Sequence, residues 1–535
     1  MKAQIVSATR NREALTLRLF KSSALFIRVA TVYIFFYHSQ SFALNWTMRP
    51  SIQLREIYSD NIRLSPKGNE KSAFVTEVSP GVSVIGRSAR STLNLNYRMQ
   101  NLYNARGDKG LSTFNQLQYN SYNVFIRNKL FLDSRSSVSQ QNLTNNQIAN
   151  DNISGSGNST DVTTFGLSPY WTPHFGGYAN GLLRLNLDTI TTGADSSSST
   201  NTPSSLSPIS DTLTLAETVQ LNSGTKFRRV SWNLLLNNSE NYRKGGDNVK
   251  FQNSNATIRT YLNKYFNVFA QGGYSNNDFQ TTTSSNKNGL FYTFGAQWIP
   301  SQHYSIAVGA GNNSYVTVRI SPIPRINWIT TYRDNEIGLN TGKTWQTSLN
   351  YRTRRSIWAL THDNDTITTQ QILSQLQSFR VQDQFGNDLI DPVTNQAVQR
   401  AINIPTLTNE VIVRKRWNFL VSFNTGKSTI SANAFNEDRV FQVTGNNEKV
   451  RGFNATWNWR FASRTSAYIR PEWQQIERAL NSTKDERYDV AIGMNRSITS
   501  RLNGRIEFRH LTQKSDLNAS DFQENRATAS LFMRF

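Results

Sequence analysis

Strict alternation of apolar and polar residues, repeated segment after segment, constrains this chain more than any other feature. In Arg451–Phe461, the residues Phe453, Ala455, Trp457, Trp459 and Phe461 share one face. Gly452, Asn454, Thr456, Asn458 and Arg460 share the other. In Leu290–Trp298 the first face holds Leu290, Tyr292, Phe294, Ala296 and Trp298. Side chains alternate across a strand, so each segment presents one apolar and one polar side, whereas a helix would scatter both sets. No stretch beyond residue 43 approaches the roughly 20 apolar residues that a membrane helix needs. A membrane role for this chain must therefore come from strands.

The alternating segments recur in hairpin units. An aromatic-rich strand ends, a short polar turn follows, and a new strand starts. Trp298-Ile299-Pro300-Ser301-Gln302-His303-Tyr304 and Trp459-Arg460-Phe461-Ala462-Ser463-Arg464-Thr465 are the clearest copies, and Tyr170–His174, Tyr261–Tyr265 and Arg496–Arg501 are looser ones. Longer polar stretches, such as Asn145–Asn158, Thr191–Ser210 and Thr281–Lys287, lie between the tight turns. Short turns alternating with long loops match the periplasmic and extracellular ends of an outer-membrane barrel, with Trp and Tyr as the interfacial girdle. The expected fold is all-β: a single large antiparallel transmembrane β-barrel of about 24 strands, within roughly 22–26. Adjacent strands must close on themselves, because unpaired backbone groups cannot face lipid. A soluble β-sandwich or β-helix is the competing architecture.

Composition fits the barrel. Hydrophobic residues are only 37% and mean hydropathy is −0.52, yet aromatics reach 11% with 11 Trp. Disorder would show few aromatics. A wet interior lowers mean hydropathy while the outer face keeps its aromatics. The absence of cysteine excludes a disulfide scaffold and thiolate metal sites.

The N-terminus reads as an export signal over residues 1–43. Lys2, Arg10, Arg12, Arg18 and Lys21 form a basic region, an apolar run follows from Ala24 to Tyr37, and Ser41-Phe42-Ala43 offers small residues for cleavage. The barrel is then expected over 44–535 in the bacterial outer membrane. An uncleaved inner-membrane anchor is the alternative, but Val29–Tyr37 is short for a span. At the other end Ala527, Ala529, Leu531, Met533 and Phe535 alternate with Arg526, Thr528, Ser530, Phe532 and Arg534. This alternation, ending on an aromatic residue, resembles the signal by which the barrel-assembly machinery recognises its clients. Phe532, on the nominally inner side, departs from the pattern.

Two segments stand apart. Residues 193–210 are rich in Ser, Thr and Pro and are expected to form a mobile extracellular loop. Residues 370–408 form the longest break in the strand pattern. Ile372, Leu373, Leu376 and Phe379 lie at helical spacing there, and Asp383–Pro392 reads as turns. Long loops of this kind are commonly functional or disordered. A lid over the pore and a solvated surface loop are the two alternatives.

Several short motifs, in succession, resemble the PEP-CTERM system-associated outer membrane protein family. They are Pro50–Ile62, Val78-Ser79-Pro80-Gly81-Val82, Tyr351-Arg352-Thr353-Arg354-Arg355-Ser356 and Val413-Arg414-Lys415-Arg416-Trp417. The resemblance spans most of the mature chain. It implies a bacterial outer-membrane barrel linked with exosortase sorting and exopolysaccharide loci, and it brings no catalytic residues.

Net charge is +22, and removal of residues 1–43 takes away six cations and one anion, leaving +17. A charge on the lipid face near the midplane costs about 2–4 kcal/mol, so Arg460, Arg526 and Arg534 are expected to face the lumen. A basic lumen enriches anions, and cation rings are the usual device of anion pores. Pairing of these cations with lipopolysaccharide phosphates or with lumenal Asp and Glu is the alternative. Nucleic acid is not an expected partner, because the aromatics follow the lipid face rather than a basic groove. No G-x-S-x-G or H-E-x-x-H motif occurs. His174 and His303 fall in turns, and His362 is a weak candidate base in the polar strand end Thr361–Asp365. Asp363 and Asp365 invite only a weak Ca2+ reading, as do Asp383, Asn387, Asp388 and Asp391. No catalytic residue, cofactor or metal is assigned. The expected role is a channel or export component for exopolysaccharide or another anionic solute. A non-conducting anchoring barrel and a barrel hydrolase are the rivals.

Overall fold

The structure, a computed structural model, describes residues 45–535 apart from 106–109, 143–150, 156–158, 194–208, 283–285, 376–407, 479–482 and 517–519. The expected export signal, most of the loop at 193–210 and most of that at 370–408 lie outside the described residues. What is described is a closed antiparallel barrel of 24 strands. Each strand pairs with the next in sequence, and the two-residue bridge His174–Phe175 merely prolongs one hairpin. The alternating segments are therefore strands, and the outcome matches the expected count.

Closure is direct. Ser51–Ser59 of the first strand (Asn45–Ser59) runs antiparallel to Arg526–Arg534 of the last (Phe522–Arg534), with Ile52 opposite Met533. The Phe535 amide donates to the Pro50 carbonyl at 3.0 Å. No edge is left for lipid to desolvate.

The strands begin and end where the sequence changes period. At the turn after Val411–Asn424, Gly426 adopts φ 84°, and the Asn424 side chain accepts from its amide at 2.8 Å. The Thr425 amide then donates to the Ser428 carbonyl at 2.8 Å. Only glycine enters that left-handed region cheaply. Such tight turns lie at one end of the barrel and the long connections at the other, as periplasmic and extracellular ends do.

The outward face is mostly apolar and open to its surroundings. Leu290 is 73% exposed, and Phe294 and Phe508 are each 62% exposed. Trp298, Tyr304, Trp358, Trp457 and Trp459 are exposed near the tight-turn end. In water each such side chain would forgo about 1.5–3 kcal/mol of burial, which a bilayer supplies. Glu217 breaks this face between Leu215 and Val219. There is no central apolar core among the described residues. Small buried apolar clusters sit at the long-loop end instead, for example Ile57, Ile62, Ala73, Val75, Leu102 and Ile153.

Candidate functional site: the lumen and its extracellular mouth

Alternation sends every second side chain inward, and the register places these residues in lateral rows. Two regions of the inward face are unlike, and the strands from Ser91–Asn104 to Val230–Arg243, with the pairs Arg135–Asp188 and Arg184–Asp133, lie between them. The first runs from Ser356–Thr368 to the last strand and continues into Ala73–Arg87. It carries an interleaved lattice of arginines and carboxylates. Arg439, 1% exposed, lies between Glu437 and Glu448, each at 2.6 Å. Arg416 meets Glu437 at 3.6 Å, and Arg414 makes a forked pair with Asp365 at 3.1 and 2.7 Å. Arg470 reaches Glu507 at 2.5 Å, where Arg505 and the Tyr468 hydroxyl also donate. Arg509 forks onto Asp489 at 2.9 and 2.5 Å, and Arg55 meets Glu77 at 3.3 Å. Forked, charge-assisted bonds fix orientation as well as charge. The wall here is electrostatically stiff and close to balanced.

The second region runs from Val249–Tyr261 to Gly342–Arg352. Its inward positions hold Asn, Gln, Ser, Thr, Gly and aromatic residues, together with Arg259, Arg319, Arg333 and, at the tight-turn rim, Arg352. No inward carboxylate occurs in these strands. Arg259 donates to Asn267 at 2.6 Å and to Gln297, and Arg333 donates to Gln346. The wall is also lowest here. Tyr304–Gly311 and Asn313–Ile320 have eight residues each. The paired segments Asn286–Lys287 and Gly338–Leu339 bridge the loops around this dip, and Asn313 ties itself to Glu336 and Ile337.

The three arginines proposed from sequence fare differently. Arg526 is on the inward side and buried, but it is neutralised by Glu524 at 2.9 Å and by Asp151. Arg534, opposite Ser51, stacks 5.9 Å from the Phe532 ring centroid near the periplasmic rim. Arg460 is exposed at the same end and donates to the Gly426 carbonyl at 2.9 Å. The structure does not bring the three together. Leu531, Met533 and Phe535 lie exposed on the outward face with Ala527 and Ala529 on the same side of their strand, and Phe532 is buried on the inward one.

His362 faces outward. Its ring stacks on Trp417 at 4.3 Å and approaches Trp345 at 5.7 Å, while Nδ1 lies 3.2 Å from the Arg416 carbonyl oxygen. Among the described residues no carboxylate bonds to this imidazole. Asp365 is taken by Arg414. Among the described residues no cluster of His, Asp and Glu is arranged to hold a metal.

Loops fold over the mouth. The helix Thr369–Gln375 leaves the strand Ser356–Thr368 and places Leu373 with Val162, Ile190 and Ile209, which belong to the opposite wall and its loop. Ile372 and Leu373 of the expected helical spacing lie in this helix, and Leu376 and Phe379 fall outside the described residues. Asn409 accepts from the Ser210 amide at 3.0 Å and from Gln370 at 2.9 Å. Thr282 donates to the Gln442 carbonyl at 2.7 Å. The mouth is thus pinched along a line of loop-to-loop bonds. Beside it, residues 151–155 bend inward. Asp151 accepts from Arg509 at 3.1 Å and from Arg526, Asn152 donates to Gln100 at 2.9 Å, and Gly155 donates to the Ile62 carbonyl at 3.0 Å. Burial opposes ionisation of Asp151, but the two guanidiniums overcome it and hold its carboxyl well below the usual range.

The chain is an outer-membrane β-barrel. No protein-family model matches it, and no curated protein matches it. Among solved structures it is similar to the FrpB iron transporter from Neisseria meningitidis, at 12% identity over 91% of this chain and 82% of that one, with a TM-score of 0.42. The siderophore receptor PirA from Acinetobacter baumannii gives 8% identity over 91% and 80%, with a TM-score of 0.43. A loop-deletion variant of OmpT, an outer membrane protein of Vibrio cholerae, gives 9% identity over 92% and 99%, with a TM-score of 0.30.

Sequence reasoning found the inward placement of Arg526 and missed its partner Asp151, which sits hundreds of residues away in a loop. It also missed the region without inward carboxylates. The signal was available, since the strands from Val249 to Arg352 carry arginines and no inward-phase Asp or Glu.

Proposed function

We propose that this barrel is an anion-preferring channel, acting as an outer-membrane conduit for exopolysaccharide or another anionic solute. One observation carries the proposal: a continuous part of the lumen wall holds Arg259, Arg319 and Arg333 with no inward carboxylate. On the wall from Ser356–Thr368 to Ala73–Arg87 most of the positive charge between the rims is paired with carboxylates, so the unbalanced wall adds a net positive field for an entering solute. The amides and hydroxyls around these arginines can replace the hydration of a sugar hydroxyl. The resemblance of Pro50–Ile62 and the later motifs to PEP-CTERM system-associated barrels favours an exopolysaccharide over a small anion. Single-channel recording across a potassium chloride gradient tests the proposal. The expected reversal potential has the sign of chloride preference, and a cation-selective pore would overturn it.

The pinched mouth favours a second reading, a non-conducting anchor for a surface polymer. Recording on Asn409→Ala separates the two, because Asn409 joins three loops across the mouth. A channel conducts more in this variant, whereas an anchor stays silent.

A further inference from the structure

We propose that the inward row Arg259–Phe269–Gly295–Gly309–Tyr315–Arg333 is a binding site for an anionic saccharide segment, deepening the channel reading on which it rests. The six residues are successive cross-strand partners on six neighbouring strands. Their order is symmetric: a guanidinium and a ring, two glycines, then a ring and a guanidinium. The glycines are what let the rings lie down. A Cβ on Gly295 would meet the Phe269 ring at 2.3 Å, and one on Gly309 would meet the Tyr315 ring at 3.0 Å. The two rings therefore stack over the glycine pair, with centroids 5.9 Å apart and planes 17° apart. The Arg259 guanidinium sits 5.2 Å from the Phe269 centroid.

Rings filling glycine gaps are a general device of curved sheets, and the barrel uses it elsewhere. Phe435 covers Gly452, and Tyr468 covers Gly493. Each of those rings also has an arginine against it, Arg416 in the first case and Arg470 and Arg505 in the second. There, however, a carboxylate completes the group: Glu437 for Arg416, and Glu507 for the other two. In the Arg259–Arg333 row no described carboxylate bonds to either guanidinium. Amides from Asn267, Gln297 and Gln346 orient them instead. Packing alone accounts for the rings, but it does not account for the missing carboxylate.

An anionic saccharide supplies what is missing. Its carboxylate or sulfate groups meet the guanidiniums, its hydroxyls meet the amides, and its C–H face lies against Tyr315, which is half-buried while Phe269 beneath is only 5% exposed.

The test uses the full chain in planar bilayers, with block of the ionic current by an oligogalacturonate as the readout. A neutral malto-oligosaccharide of equal length and inorganic phosphate serve as comparison probes. Oligogalacturonate is expected to block most strongly. Block should weaken about tenfold in R259Q or R333Q and about a hundredfold in the double variant. Y315A should weaken it about tenfold, and Y315F should leave it unchanged. Unchanged block in the double variant overturns the site. Loss in the arginine variants with none in Y315A, or phosphate blocking as well as the oligomer, reduces it to an anion site and overturns the saccharide assignment. Should the glutamine pair not fold, R259K/R333K keeps the charge, loses the planar fork and is expected to weaken block about threefold to tenfold; no change overturns the site. If neither the wild-type barrel nor Asn409→Ala conducts, the channel reading fails by itself. Oligogalacturonate titration of nanodisc-embedded barrel then decides the site with the same variants.

Discussion

Replacing Asp151 by Asn should loosen residues 151–155 from the barrel wall without unfolding the barrel. The Asp151 carboxylate accepts from Arg509 at 3.1 Å and from Arg526, and its other oxygen accepts from the Ile153 amide at 3.1 Å. Asn keeps an acceptor for Ile153 and loses the charge. Arg509 and Arg526 retain Asp489 and Glu524, so neither guanidinium is orphaned. Two hydrogen bonds to a charged group are worth about 1.5–3 kcal/mol each. Asp151 keeps 27% of its side-chain exposure, so solvent screens part of that gain. A net loss of about 2 kcal/mol follows, a shift of roughly 30-fold in the ratio of docked to undocked loop. Hydrogen exchange at the Gly155 amide, which donates to Ile62, reads this ratio directly. The expected change is a roughly 30-fold faster exchange in D151N. The pH dependence gives a second arm. A depressed carboxyl contributes stability above its unfolded value near pH 4, and loses it as pH falls through the folded value. Wild-type exchange, corrected for its intrinsic rate, should therefore be flat from pH 8 to pH 5, and D151N should be flat throughout. Equal exchange in the two proteins, or wild-type loosening between pH 7 and pH 5, would refute the latch.

Three further outcomes test the fold and the faces. Phe294→Arg, on the outward side, should lower barrel stability in urea by about 2–4 kcal/mol, while the inward Gln271→Arg should lie within about 1 kcal/mol of wild type. Gly295→Ala puts a Cβ 2.2 Å from the Val308 carbonyl oxygen. A loss of about 1–3 kcal/mol by the same measurement is expected, and no loss would mean the close approach is wrong. His362→Ala should lower stability through its stack with Trp417 and leave conductance unchanged; a changed conductance would place the ring inside the pore.

The alternation told most of the story, and its limits are physical. Phe453 through Phe461 could be read as one strand with one outward face because the period is two. The same rule put Arg526 and Arg534 inward, and Phe532 with them. Side-chain phase also held His362's position, since Trp358 two turns of the pleat away is outward; its polar neighbours Asp363 and Asp365 drew attention instead. What one strand's phase cannot carry is register. Nothing near Arg259 announces Tyr315, and nothing near Arg526 announces Asp151. These meetings depend on how each hairpin slides against the next and on where a loop bends, so they appear only when the sheet is closed. The helix at Thr369–Gln375 was legible from Ile372 and Leu373, but its landing place against Val162 and Ile190 was not.

The ladder between Ser51–Ser59 and Arg526–Arg534 joins segments far apart along the chain. Every other pair of wall strands is joined by a shorter connection, of which that from Thr368 to Val411 is the longest. This one has no turn to guide it and pays the largest loop-closure entropy in the molecule. Until the two strands meet, both free margins expose bare amides that lipid cannot satisfy.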